Sequence, residues 1–219
     1  MAELTLPNLK VAASQFVRRI SGIPIPDLFG STDGKAVGTY VEQAFNHYLR
    51  ATYNYIPGNA ALGIDFPDLK VDLKVTSIRQ PQSSCPFRDA SQKVYGLGYN
   101  LLVLTYEKID DGTTRSARLD FRDAIFVSQE KTGDYQTTYG LAGILNRNGN
   151  KDDIVAFLEE RNLPLDEIGR DLLAERIVQN PPQIGYLTIS NALQWRLQYS
   201  RIIDIANQRI DLGVENLLG

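Results

Sequence analysis

The segment Tyr99–Tyr106, YNLLVLTY, is almost continuously apolar, and no other stretch of the chain restricts its fold as sharply. A strand with one wet face alternates, whereas an unbroken short apolar run reads as a strand covered on both faces. Ala117–Ser128 reads as its neighbour beyond the Asp110-Asp111-Gly112 turn. Upstream, Asn8 is placed to cap a first helix reaching Ser21, with Leu9, Ala12, Ala13, Phe16, Val17 and Ile20 on its apolar face. A second helix runs from about Asp33 to Tyr53 and stops at the Pro57-Gly58 turn signal. Two short strands follow at Leu62–Phe66 and Lys70–Ile78, and Pro86 opens a helix that closes at Gly96 or Gly98. From Tyr139 the periodicity turns helical, over Gly140–Asn146, Lys151–Asn162, Asp166–Asn180 and Ser190–Gln208. The expected class is α/β, a mixed sheet flanked by helices with a helical C-terminal third. The expected division is a core with its N-terminal helix at 1–135 and a helical region at 136–219, packed on the core.

Composition narrows the function classes. With 219 residues, 43% hydrophobic and 22% charged, the chain has ample material for a buried core and no run near the ~18–20 apolar residues of a membrane span. The start, MAELTLPNLK, lacks a basic-then-apolar secretion pattern, and the single Cys85 makes neither an intrachain disulfide nor a Cys-rich metal site. The cytoplasm is the expected location. A net charge of -3 argues against a general polyanion coat but leaves room for nucleic acid contacted through a local basic patch.

Chemistry concentrates in residues 62–76. Val71, Leu73 and Val75 share one face of the Lys70–Ile78 strand, which puts Asp72, Lys74 and Thr76 on the other. Matching apolar faces in a hairpin through Pro67-Asp68-Leu69 pairs 66 with 71, 64 with 73 and 62 with 75, and sets Asp65 opposite Asp72. Opposed carboxylates with Cβ atoms ~4.5–5.5 Å apart repel each other unless a cation lies between them. Oxygen ligands with retained waters suit Mg2+, and Lys74 adds an ammonium that can orient a water or a phosphate oxygen. A solvated hairpin face with mixed charges is the plainer alternative. Glu42 lies at the edge of the apolar stripe of the second helix, where a carboxylate needs a partner; a cap or a salt bridge would serve as well as a metal.

Gly38 to Glu42 followed by GIDFPDLKVDLKVTS resembles the PD-(D/E)XK nuclease core, and QPQSSCPF and QKVYGLGYNLLV resemble bacterial type II restriction endonucleases. The resemblance covers roughly residues 34–128. It implies a restriction-endonuclease-like fold and Mg2+-dependent hydrolysis of double-stranded DNA by a homodimer. Asp65 would be the first acid, Asp72 the second, Lys74 the motif lysine and Glu42 the helical glutamate, with Asp65, Asp72 and Glu42 as metal ligands. Asp68, which directly follows the proline, is the competing first acid, although strand parity puts it in the turn.

For DNA contacts, residues 70–100 hold five basic against two acidic side chains. The loop with Arg79, Gln80, Gln82 and Ser83 offers groups suited to base edges and phosphates, and a capped connection is its plain reading. Gln92 and Lys93 are candidates for backbone contact or ordinary surface residues. Gln194, Arg196, Gln198 and Arg201 lie on the expected last long helix, which Leu193, Leu197, Ile202 and Ile205 also pack. The expected activity is sequence-specific cleavage; a shape-reading repair or junction nuclease and a non-catalytic DNA-binding module are the rivals.

Overall fold

The computed structural model describes residues 1–58, 63–85, 88–190 and 195–219. In chain order the elements are β1 (Ala2–Glu3), α1 (Leu6–Ile20), α2 (Gly34–Arg50), β2 (Tyr53–Asn54), β3 (Val71–Ser77), β4 (Gln82–Cys85), α3 (Gln92–Tyr95), β5 (Asn100–Asp111) and β6 (Ser116–Val127). Then come α4 (Tyr135–Asn146), α5 (Lys151–Glu160), α6 (Glu167–Gln179), β7 (Thr188–Ile189), β8 (Trp195–Gln198), α7 (Ser200–Gln208) and β9 (Val214–Asn216). The protein is α/β with mixed strand pairing. Two compact units divide it, one of residues 1–81, 100–127 and 203–219, the other of 82–99 and 128–202. The chain changes unit four times, so compactness does not separate at the single cut expected near residue 135.

The first unit is built on a sheet of order β3-β5-β6-β9, with β3 parallel to β5 and the other pairs antiparallel. Thr5 rather than Asn8 caps α1, because its hydroxyl accepts the Asn8 N–H, and the six residues expected on the apolar face are the six that are buried. Asp33 caps α2 by accepting the Lys35 N–H at 2.8 Å, and Val37, Val41, Phe45 and Leu49 bury one stripe. Those helices share one core with Val71, Leu73, Leu102, Leu104, Leu119 and Phe126. Each fully buried side chain of this size stabilises the fold by roughly 1.5–3 kcal/mol. A bulge keeps β6 in that core: Thr105 pairs with Asp123 but Tyr106 with Phe121, so Arg122 is extra and the apolar parity switches from Leu119 and Phe121 to Ala124 and Phe126.

The second unit contains α3 to α6 and a three-stranded antiparallel sheet of order β4-β8-β7. Val94, Leu141, Ile144, Ile154, Leu158, Leu173 and Ile177 form one of its cores. Asp134 joins its parts: Oδ2 accepts the Thr137 N–H at 3.0 Å, capping α4, and Oδ1 accepts the Ile189 N–H at 2.9 Å, holding β7.

Other expectations change as well. Residues 63–66 are not a strand; one antiparallel bridge, Phe66 to Val71, remains of the expected hairpin and has the expected register, while Leu62 lies outside the described residues. The Ser190–Gln208 helix is instead β8 followed by the shorter α7, and the polar loop at Gln82–Ser84 is strand β4, because these two segments satisfy each other's backbone groups. The helix expected from Pro86 is only Gln92–Tyr95, and Pro86 itself is outside the described residues. Among the described residues no helix is long and apolar enough to cross a membrane.

Candidate active site

Strand β3 is an edge strand, so half of its N–H groups face away from β5. Phe66 and Val71 exchange both backbone hydrogen bonds, at 2.9 and 3.1 Å, across the tight turn Pro67–Leu69, with Lys70 in a left-handed conformation at φ 50°. The next outward N–H, that of Leu73, donates to Asp65 Oδ2 at 2.7 Å. A side-chain carboxylate here replaces the carbonyl of a missing strand. This local substitution draws the Asp65 carboxyl into a hydrogen bond with that of Asp72.

Asp72 itself is 4% exposed, and Lys74, two residues along the same face, places Nζ 2.7 Å from Asp72 Oδ2. Burial pushes the Asp72 carboxyl up to about 7; Lys74 opposes this, while the hydrogen bond and charge of Asp65 add to it. Glu42, on the solvent side of α2, is also raised, first by partial desolvation and then by the Asp65 charge, with Lys74 pulling the other way. Glu42, Asp65, Asp72 and Lys74 therefore sense one another within the first unit. Asp68 sits exposed in the turn.

The donor chemistry fits a divalent cation. Asp72 is buried and its carboxyl is raised by desolvation and by Asp65, a strain that a doubly charged ion between the two carboxyls would relieve. Among the described residues no cluster of three or more carboxylate, histidine or cysteine groups closes on one point. An ion here would thus have Asp65 and Asp72 as its protein ligands and oxygen from water or phosphate for the rest, the ligand set Mg2+ prefers.

Comparison with known proteins gives the family. A family model described as type II restriction enzyme NspV matches residues 3–216. The curated type II restriction enzyme NspV of Nostoc sp. is 56% identical over 208 residues, 95% of this chain and 94% of that protein. The chain belongs to the NspV family of type II restriction enzymes. No solved structure matches it.

The DNA-contact candidates of this NspV-family chain fare unequally. Lys93 is 3% exposed, its ammonium disfavoured by desolvation and then supported by Asp134, so it is an interior group and not a phosphate contact. Gln92 is also turned inward: Nε2 donates to Leu97 O at 2.8 Å, and Oε1 is buried without a partner among the described residues. Ser83 faces the packed side of its sheet, its hydroxyl 2.5 Å from that of Tyr199. Arg201 stacks its guanidinium 3.7 Å from the Tyr135 ring centre. Arg79 is exposed but bound to Glu107 at 3.0 Å, and Gln80 lies exposed in the turn after β3. Gln194 lies outside the described residues. Gln82, Arg196 and Gln198 come together on one strand pair, Gln82 opposite Gln198 and Ser84 opposite Arg196. Ser84 and Thr188 share that face, which was not assembled from sequence because WRLQ was absorbed into a helical pattern; the alternation Trp195, Leu197, Tyr199 against Arg196, Gln198 was the available signal.

Proposed function

We propose that the chain is a sequence-specific double-stranded DNA endonuclease whose first unit is a PD-(D/E)XK core using Mg2+ at Asp65 and Asp72. The observation that carries this reading is the buried Asp72 between the Asp65 carboxyl and the Lys74 ammonium on one edge strand. Such a triad costs folding free energy on its own, which an enzyme recovers in binding and chemistry. When bound, Mg2+ supplies positive charge against the scissile phosphate and makes water more acidic.

The chain's own residues do the rest. Asp65 is oriented by the Leu73 N–H, and Asp72 by Lys74, so both carboxylates are preorganised as ligands. Lys74 presents its remaining ammonium protons to a non-bridging phosphate oxygen or to the attacking water, holding that water in line with the ester bond. Glu42 accepts a proton or a hydrogen bond from a water on the α2 side. Hydrolysis joins the water oxygen to phosphorus as one P–O ester bond breaks, and the leaving oxygen takes a proton. One such set cuts one strand, so breaking a duplex calls for two copies, and a homodimer is the simplest arrangement. The cytoplasm, where DNA is accessible, is the proposed place of action.

Incubating the protein with phage or plasmid DNA and Mg2+ tests the reading. Discrete fragments are expected. General degradation would favour a nuclease that reads shape, and intact DNA at every metal concentration would leave only a binding module.

A further inference from the structure

The sheet of β4, β8 and β7 has two unlike faces. Cys85, Leu197 and Ile189 point to one side with Tyr199, and Leu197 and Tyr199 are fully buried there. The opposite side carries Gln82, Ser84, Thr188, Arg196 and Gln198; Ser84, Arg196 and Gln198 are exposed and the other two half-buried. Among the described residues no carboxylate pairs with Arg196, and no side chain binds the polar ends of Ser84 or Gln198. The other candidate cations are already engaged: Arg79 with Glu107, Arg201 on Tyr135 and Lys93 in the interior. Backbone bonds fix Arg196 from both sides, its N–H donating to Ser190 Oγ at 3.0 Å and its carbonyl accepting the Ser190 N–H at 3.1 Å.

We infer that this face reads base edges in the DNA major groove, with Arg196 taking a guanine and Gln198 an adenine. The inference rests on the nuclease reading above and names the specificity-determining side chains of that enzyme. The ~12 Å major groove admits antiparallel β-structure, and β8 pairs with β4 over four residues, beyond the two-residue strand β7. Residues two apart on a strand are separated by ~6.8 Å, and stacked base pairs by ~3.4 Å, so Arg196 and Gln198 address positions about two base steps apart. The guanidinium fork matches the N7 and O6 acceptors of guanine, and the carboxamide matches the N7 acceptor and N6 donor of adenine. Gln82, opposite Gln198, lies within reach of the same base step. The buried face behind these side chains keeps the ribbon from yielding, so a wrong base leaves polar groups unpaired instead of being accommodated.

The test uses the duplex that carries the site at which the wild-type protein cuts plasmid DNA, read from the fragment ends, with Ca2+ replacing Mg2+ to separate binding from turnover. Arg196→Ala should weaken site binding by about 10- to 100-fold and random-duplex binding by no more than about threefold. Arg196→Lys, which keeps the charge and loses the fork, should show the same selective loss. Replacing a contacted guanine by 7-deazaguanine, which lacks N7, should weaken the wild type and add nothing to Arg196→Ala; 7-deazaadenine and Gln198→Ala should behave likewise. Equal losses on site and random duplexes, or additive losses from base analogue and mutation, overturn the inference. Absence of discrete wild-type fragments sinks the nuclease reading and this inference together, whereas discrete fragments with unchanged discrimination in Arg196→Ala sink this inference alone.

Discussion

Strands β3 and β8 are both apolar on one side and polar on the other, yet their polar faces differ in kind. On β3 the charges are crowded and desolvated: Asp72 is 4% exposed, hydrogen-bonded to Asp65 and paired with Lys74 at 2.7 Å. On β8 the polar groups stand in solvent, and Arg196 and Gln198 make no side-chain bond among the described residues. The first face costs stability, and on the proposed reading that cost is the trace of its chemistry. The second costs almost nothing, and only its geometry marks it. If β3 reacts and β8 reads, chemistry and readout leave different traces, and a search for perturbed groups finds the first and passes over the second.

The sharpest way to break the comparison is to empty the charged face. Asp72→Ala and Lys74→Ala should each lower the cleavage rate by ~10³-fold or more while leaving the protein folded, because neither side chain belongs to the apolar face. Far-ultraviolet circular dichroism beside the cleavage assay checks both halves; unfolding of either variant would mean that the polar face of β3 is structural. The apolar faces should respond in the opposite sense. Leu73→Ala and Leu197→Ala each remove a buried side chain and should cost ~2–5 kcal/mol in urea unfolding, Leu73 in the first unit and Leu197 in the second.

A smaller effect separates the two faces by pH. In the folded protein Asp72 holds its proton up to about 7, whereas in the unfolded chain it releases it near 4. Ionising it in the folded state is the disfavoured event, so metal-free stability from this group is present below about pH 4 and is lost as pH rises to about 7. Asp72→Asn, neutral throughout, should therefore gain on the wild type across that window, by roughly 4 kcal/mol, and hold a constant lead above it. Gln198→Ala should track the wild type at every pH. A lead for Asp72→Asn that does not grow with pH would remove the buried-carboxylate account.

Mg2+ binding offers a finer cut within the first unit. Saturating Mg2+ should raise the wild-type stability by ~1–3 kcal/mol through binding to the folded state alone. Asp65→Asn should lose most of that gain and Asp68→Asn should keep it, since only Asp65 is drawn to Asp72. Thermal melts with and without the ion read the difference, and a gain lost only in the Asp68 variant would exchange their roles.

Much of the first unit was readable because its signals are local. The six buried residues of α1 and the alternation Val71, Leu73, Val75 follow from period alone, and matching apolar faces gives the 66 to 71 register. How Asp65 reaches Asp72 was not readable, since a carboxylate standing in for a strand carbonyl leaves no periodic trace. The β4–β8 pairing was hidden for a different reason. Its partners lie more than a hundred residues apart, as Ser83 and Tyr199 show, and four-residue strands carry little pattern beside the stronger 3.6-residue rhythm of Ile202, Ile205 and Ala206. Lys93 was misjudged because burial of a lysine depends on what folds over it, here Asp134 and Arg161 from distant segments.

The smallest expected effect belongs to Arg79, the cation that sequence alone ranked beside Gln82. Its guanidinium is widely exposed and meets Glu107 Oε1 at 3.0 Å, but Arg122 binds the other oxygen of the same carboxylate at 2.9 Å. Both arginines hold the Glu107 carboxyl below its usual range, Arg79 foremost. Removing Arg79 leaves Glu107 its second partner and exposes no buried charge, so Arg79→Ala should not move the melting temperature measurably, and added salt should erase what little difference exists. Its consequence for DNA is the informative one. If Arg79 touches phosphate, both site and random duplexes weaken together, whereas the Arg196 loss is confined to the site. A selective loss of site binding in Arg79→Ala would transfer base reading from the exposed sheet face to the turn after β3, and with it the division between a face that reacts and a face that reads.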